Sequence, residues 1–179
     1  MSERIVPIKW SATEVTEHIK KIQAVVDKHK KENKEAHFTA ITPHEIENKL
    51  RRVNSPMIVS QGWSGTTPGG TFNYSLGLYN PDPTTANYLF ANVWVGSGNV
   101  DPVVGTFLLN VDTRFPRLTQ PQIAGLTLAA GASATLTFAI KVPATVEKTQ
   151  YIGNSCLMQF NWHDIGTYLD RSVFVFTVS

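Results

Sequence analysis

The sequence contains one cysteine among 179 residues, Cys156, so it cannot form an internal disulfide. Small secreted scaffolds with little core are held together by several disulfides, and this class of protein is therefore excluded. No run of about 18 apolar residues occurs, so no membrane span is expected. The first residues include no apolar stretch of signal-peptide length, and a cytoplasmic location is the default expectation.

Charged residues are also scarce, at 17% of the chain, and they are unevenly distributed. Residues 1–55 hold 11 of the 16 Lys and Arg and 8 of the 14 Asp and Glu, which leaves 5 and 6 for residues 56–179. The first part therefore carries a net charge of +3 and the second −1. This contrast predicts a charged arm over residues 1–55 and a weakly polar domain over residues 56–179.

Two capping-box patterns in the arm predict where helices begin. In Ser11–Glu14 and in Thr42–Glu45, a hydroxyl residue is followed three positions later by a glutamate that can reach back to its N–H. Apolar residues then recur every three or four positions. These patterns predict helices near residues 11–33 and 43–53, with an extended segment over residues 34–41.

The first helix has a narrow apolar seam with spacings of three and four residues. Its members are Val15, Ile19, Ile22 and Val26. Two heptads of such a seam are marginal for an isolated coiled coil in water, so the seam needs a cover. Either it packs on its own domain or it joins copies of the chain, and under the second interpretation these four residues are the predicted oligomer contact.

A basic run at residues 28–31 continues the same helix. Glu32 and Glu35 interleave with its lysines, and no aromatic residue accompanies them. Nucleic-acid sites combine basic residues with aromatic ones or with a defined motif. The run is therefore interpreted as a solvated helix face, and no nucleic-acid partner is expected.

From about Met57 the apolar residues alternate with polar ones at a period of two, which is typical of half-buried strands. Glycine, proline and asparagine separate the alternating segments. The segments are residues 57–61, 72–79, 89–95, 106–111, 133–142, 150–162 and 168–178. About seven strands without intervening helices predict a mainly β fold, an immunoglobulin-like antiparallel β-sandwich that follows an N-terminal two-helix arm. Leu136, Phe138 and Ile140 are expected in its core.

One stretch resembles a known kind of module. Residues 126–138, with Val142 and Pro143 after them, read as a short strand, a glycine turn and a long alternating strand that ends in Val-Pro. This resembles a segment of bacterial immunoglobulin-like modules of the CARDB-type and adhesion-associated kind, and residues 73–81 are similar to an early strand of such modules. The resemblance implies a Greek-key sandwich that binds or spaces proteins and glycans, and no functional residue can be carried over from it to this sequence.

No residue pattern indicates catalysis or a cofactor. Cys156 lies in an apolar run and is interpreted as a buried, inert thiol. His163, seven residues away, would point to the opposite face of a regular strand. No metal is expected, although Asp82, Asp101 and Asp112 would offer calcium ligands if their loops met. We therefore expect a protein that is not an enzyme and that holds no cofactor.

Aromatic residues near strand ends are the better indication of a binding site, because they bury a large area at low entropic cost. Trp63, Tyr79 and Tyr88 are the predicted ligand-binding residues, and Trp63 is expected to be exposed. Trp94 and Trp162 belong either to such a surface or to the core between the sheets.

The leading functional hypothesis is a non-enzymatic interaction or structural module that forms homo-oligomers or docks on a protein partner. A weakly charged body rich in Ser, Thr and Asn suits surfaces that are buried in an assembly. One alternative is a carbohydrate-binding module that binds a glycan through exposed aromatic residues. Another is a membrane-active, toxin-like β-sandwich with an amphipathic arm.

Overall fold

The computed structural model describes residues 10–52, 55–95, 126–159 and 167–179. Within these residues the chain forms two helices and eight strands. In chain order they are α1 (Ala12–Glu32), β1 (His37–Ala40), α2 (Pro43–Arg52), β2 (Met57–Trp63), β3 (Thr71–Tyr79), β4 (Ala86–Val95), β5 (Leu126–Leu128), β6 (Ser133–Lys141), β7 (Gln150–Gln159) and β8 (Thr167–Thr177). The strand predicted at residues 106–111 lies outside the described residues, as do Asp101, Asp112, Trp162, His163 and the side chain of Trp94.

Both helices begin at the capping boxes that the sequence indicates. Ser11 Oγ accepts from the backbone N–H of Glu14 at 3.1 Å, and the Glu14 carboxylate accepts from the N–H of Ser11 at 2.8 Å. Thr42 and Glu45 form the same reciprocal pair, at 3.1 and 2.7 Å. These bonds satisfy backbone donors that the first turn of a helix leaves free. The segment between the helices is extended over the four residues of β1.

The eight strands form two four-stranded sheets in which the strand pairs are antiparallel. The first sheet has the order β1-β2-β3-β6, and the second has the order β5-β4-β7-β8. Strands distant in sequence, such as β3 and β6, are neighbours because the chain crosses between the sheets. The predicted fold, a mainly β immunoglobulin-like sandwich with two N-terminal helices, is confirmed.

The main core lies between the two sheets and follows the strand alternation. Phe138 and Ile140 of β6 are buried as predicted, and Leu136 is half-buried against the same cluster. Cys156 in β7 is buried too, which confirms that prediction. In β3, which pairs with β6 in the first sheet, the core residues are Phe72, Tyr74, Leu76 and Leu78.

A second apolar cluster joins the arm to the outer face of the first sheet. It contains Ile22, Val26, Ile46, Leu50, Met57, Val59 and Tyr79, so α1, α2, β2 and β3 all contribute. Burying one aliphatic side chain of this size contributes about 1.5–3 kcal/mol. The arm also adds β1 to the edge of the sheet, with His37 opposite Trp63 in β2. The helices are thus anchored through both packing and strand pairing.

One ion pair ties α2 to both sheets. Lys49 of α2 contacts the carboxylate of Asp170 in β8, and both side chains are largely buried. Asp170 also accepts from the N–H of Ile58 at 2.8 Å, while Lys49 donates to the Ile58 carbonyl at 2.9 Å. Because Ile58 belongs to β2, three elements from distant parts of the chain meet at this pair.

Candidate functional site

Trp63, the aromatic residue predicted to be exposed, is turned inward. Its side chain is 8% exposed, and its indole N–H donates to the Val175 carbonyl at 2.8 Å. Gln61 donates from Nε2 to the Val173 carbonyl at 3.0 Å. β8 is an edge strand, and carbonyls that point away from its sheet need donors from elsewhere. The exposure predicted for Trp63 is therefore wrong, because its indole satisfies the backbone of β8.

Tyr79, the second predicted ligand-binding residue, is buried beneath α1. Its hydroxyl and Nδ1 of His18 share a hydrogen bond of 2.8 Å. Burial raises the pKa of Tyr79 to about 12, so the hydroxyl remains neutral. The prediction of a ligand surface at Tyr79 is wrong as well, because the arm covers this side chain.

Tyr88, the third predicted residue, does lie on the surface, with 51% of its area exposed. Its backbone has a φ of 57°, in the left-handed region that bulky residues rarely adopt. The register between β4 and β5 shifts between Ala86 and Leu89, so Tyr88 occupies a bulge. Bulges re-aim side chains at sheet edges. The ligand-binding role of Tyr88 stays a prediction.

The seam of α1 is covered by the chain itself. Ile22 and Val26 are buried in the second cluster, and Val15 and Ile19 are half-buried against it. The predicted oligomer contact at these four residues is therefore wrong. The physical reason is that β2 and β3 present apolar side chains on their outer face, and the seam of α1 is their cover. The arm instead packs on its own domain, as the alternative interpretation predicts.

A buried polar contact accompanies this packing and was not anticipated from the sequence. Nδ1 of His29 lies 2.6 Å from Ser60 Oγ, and its Nε2 lies 2.7 Å from Ser75 Oγ. Gly77 leaves room for the first bond, since a Cβ there would lie 2.2 Å from Ser60 Oγ. Burial lowers the pKa of His29, and the charge of Glu32 opposes this shift. His29 follows Val26 at the spacing of the seam and ends its apolar residues. This polar residue in the seam was the only signal in the sequence for the buried contact.

A cleft of about 240 Å³ opens beside His29, between the end of α1 and strands β3 and β6. Its walls include Glu32, Lys34, Glu35, Asn73, Thr135 and Thr137. The charges have both signs, and the volume lies below the range of about 300–1,000 Å³ in which small-molecule sites commonly fall. The cleft therefore defines no particular class of ligand.

The outer face of the second sheet carries exposed apolar side chains. Ile152 of β7 and Val175 of β8 are paired across the two strands, and Val173 lies two residues before Val175 on the same face. Their exposed fractions are 41%, 46% and 55%. We call these three residues the β7–β8 stripe. Large apolar side chains grouped in this way commonly mark interaction surfaces.

The stripe was not recognised from the sequence because residues 173–176 of β8 are apolar on both faces. Phe174 and Phe176 alternate with Val173 and Val175, and only the phenylalanines point into the core between the sheets. A continuous apolar run indicates a strand but does not say which face is covered. The structure supplies that information.

Among the described residues, no group of three or more His, Cys, Asp or Glu side chains is placed to hold a metal ion. Asp82, the one described member of the calcium alternative, is buried and accepts from the N–H and hydroxyl of Thr84 at 2.9 and 2.8 Å. No helix within the described ranges is long and apolar enough to cross a membrane.

No protein-family model and no curated protein matches the sequence. Solved structures do match. The C-terminal domain of wzt has a TM-score of 0.52 and 10% sequence identity, with 80% of this chain and 77% of that chain covered. At this identity the likeness shows the fold alone, an antiparallel β-sandwich.

Two further structures match at lower scores. The CARDB domain of PF1109 from Pyrococcus furiosus has a TM-score of 0.40 and 11% identity, with 69% of this chain and 92% of that chain covered. A family 123 glycoside hydrolase from Clostridium perfringens has a TM-score of 0.42 and 12% identity, with 75% and 25% covered. CARDB domains, which the sequence resembles, are thus among the solved structures to which this chain is similar.

Proposed function

We propose that this chain is a non-enzymatic interaction module that assembles with copies of itself through the β7–β8 stripe. The observation that carries the proposal is the exposure of Ile152, Val173 and Val175 on one face of two paired strands. Removing apolar surface from water contributes roughly 25 cal/mol per Å². A partner that covers the stripe would gain this free energy without any rearrangement of the sandwich.

The surroundings of the stripe resemble the anatomy of a protein interface. Arg171 and Thr177 lie on the same face of β8, on either side of the two valines, and both are exposed. Interfaces commonly have an apolar centre and a polar rim. Both strands are held in a four-stranded sheet, so the stripe is a preformed surface whose ordering costs little on binding.

The charge distribution favours a second copy as the occupant. Residues 56–179 carry a net charge of only −1, so two bodies repel each other weakly. In a twofold dimer the same patch occurs on both partners, and an apolar patch complements itself without any charge pairing. Face-to-face packing of two such sheets is a common arrangement in β-proteins.

The test is the mass of the full chain in solution, measured by light scattering and sedimentation over a wide range of concentrations. We expect a mass above that of the monomer and a shift to monomer in the Val173→Lys, Val175→Lys double variant. The matched control is Thr135→Lys with Thr137→Lys, which places two lysines on exposed positions of the first sheet. A monomeric wild-type protein throughout, or a stripe variant with unchanged mass, overturns the proposal.

Glycan binding at Tyr88 is a second candidate, favoured by the exposure of its ring and its left-handed backbone. Strained backbone conformations concentrate at functional sites. The test is titration of the full chain on a panel of immobilised glycans. Binding that is lost in Tyr88→Ala and kept in Tyr168→Ala, a second exposed tyrosine, supports this candidate. Absence of binding to the panel counts against it.

A further inference from the structure

Helix α1 docks on the first sheet through two histidines as well as through its apolar seam. His29 lies buried between the hydroxyls of Ser60 in β2 and Ser75 in β3, at 2.6 and 2.7 Å. Its ring meets Phe38 of β1 edge to face, with the centroids 5.0 Å apart. The histidine thus touches β1, β2 and β3.

His18, three turns earlier on the helix, makes the second contact. Its Nδ1 shares a 2.8 Å hydrogen bond with the hydroxyl of Tyr79. The indole ring of Trp10 packs edge-on against the imidazole at a centroid distance of 4.5 Å. An aromatic ring, a neutral hydroxyl and the helix itself therefore surround much of this histidine.

The partners of both histidines are neutral groups. A hydroxyl can donate or accept, so Ser60, Ser75 and Tyr79 can bond a neutral imidazole. None of them supplies the negative charge that a buried imidazolium ion requires. Burial accordingly lowers the pKa of His29 and that of His18.

The charged groups that shift the pKa values of the two histidines come from α1 itself. Glu32 opposes the lowering of the His29 pKa, Glu14 opposes that of the His18 pKa, and Lys21 adds to the latter. The cleft beside His29 also contains Lys34 and Glu35, which have opposite charges. From β1, β2 and β3, the rings are contacted by Phe38, Ser60, Ser75 and Tyr79, and all four of these residues are uncharged.

The two ends of the docked helix carry unsatisfied polar atoms. Trp10 Nε1 and Asn33 Oδ1 are buried without a hydrogen-bond partner, and they are the two such side-chain atoms among the described residues. A buried polar atom without a partner destabilises the state that buries it, and water would satisfy both atoms if the helix moved away. These two atoms therefore destabilise the docked position of α1, one at each end of the helix.

We propose that α1 is an acid-sensitive latch, docked while His18 and His29 are neutral and released from the first sheet when they become protonated. Release would uncover the apolar residues beneath the helix, among them Met57, Val59 and Tyr79. The latch is independent of the β7–β8 stripe, which lies on the other sheet.

The direction of the pH dependence follows from proton uptake. A histidine in the released arm has its ordinary pKa of about 6.5, and the docked histidines have lower values. The released state therefore binds more protons, and docking weakens as the pH falls below about 6.5 towards the docked values. Each histidine that is charged only after release lowers the docking constant by up to about tenfold per pH unit.

The experiment is hydrogen exchange on the full chain at about pH 7.5 and about pH 5, with intrinsic exchange rates corrected for pH. We expect the amides of α1 to lose protection at the lower pH by at least about tenfold, while those of β3 and β6 keep theirs. Equal loss across helix and strands would mean global unfolding and would overturn the latch. Unchanged protection of α1 would also overturn it.

Variants separate the latch from a purely structural role. In the His18→Gln, His29→Gln double variant the protection of α1 is expected to be lower at both pH values but nearly independent of pH. His44→Gln, at an exposed position on α2, is the matched control and should keep the wild-type pH dependence. A double variant that keeps the full pH dependence contradicts the proposal.

If the double variant does not fold, proton NMR of the wild-type imidazoles decides the matter. The latch requires that His29 titrates below the ordinary pKa of about 6.5 and that α1 amide signals shift with the same midpoint. Titration of His29 at or above the ordinary value, with α1 still docked, overturns it.

Discussion

The two sheets of this sandwich differ in what covers their outer faces. The outer face of the first sheet lies under α1 and α2, which bury Met57, Val59 and Tyr79. The outer face of the second sheet leaves Ile152, Val173 and Val175 exposed. The residue types are similar, so composition alone does not distinguish a face that is packed within the chain from one that is open. The difference lies in whether the chain places a helix with a matching seam over the face.

The largest expected effect comes from removing the centre of the covered face. Ile22 is buried in the second cluster, and Ile22→Ala should lower the free energy of unfolding by about 2–5 kcal/mol through lost burial and a cavity. Urea denaturation measures this loss. Gln23→Ala, at the exposed neighbouring position, is the control and should change stability little. An unchanged stability of Ile22→Ala would contradict the burial of the seam against the first sheet.

A smaller effect is expected where α2 and the two sheets meet. Asp170→Asn should cost about 3 kcal/mol, because Lys49 would remain largely buried without its counter-charge. The control is the exposed pair of Glu47 and Arg51 on the same helix, where Glu47→Gln should cost about 0.5 kcal/mol or less. Equal losses in the two variants, again measured by urea denaturation, would show that Lys49 and Asp170 are not effectively buried.

The smallest effect concerns β7 of the second sheet, where the exposure of the side chains changes along the strand. Ile152 is exposed, whereas Cys156, four residues later in the strand, is buried. Cys156→Ser should cost about 1 kcal/mol, and a bulky thiol reagent should label native Cys156 slowly. The control is Cys156→Ser with Val175→Cys, which should label rapidly on the open part of the same sheet. Rapid labelling of the wild-type protein would contradict the burial of Cys156.

Helix starts and most strand positions could be predicted because local patterns determine them. The capping boxes at Ser11 and Thr42 need only residues three positions apart. The alternation in β6 shows which side chains share a face, and Phe138 and Ile140 accordingly lie in the core. Trp63 was mispredicted because its partner, the Val175 carbonyl, is 112 residues away in the sequence. No local pattern reports a bond of that kind.

The sequence by itself determined the class of fold, since hydrophobic periodicity and turn residues specify strands wherever they occur. It also determined that the apolar seam of α1 had to be buried against another surface. Only the tertiary structure decided that the cover is the outer face of β2 and β3, that His29 meets two serines there, and that the apolar residues left open belong to β7 and β8. The physical reason is that apolar burial is non-directional, so a pattern shows which residues require burial and the packed chain decides what buries them.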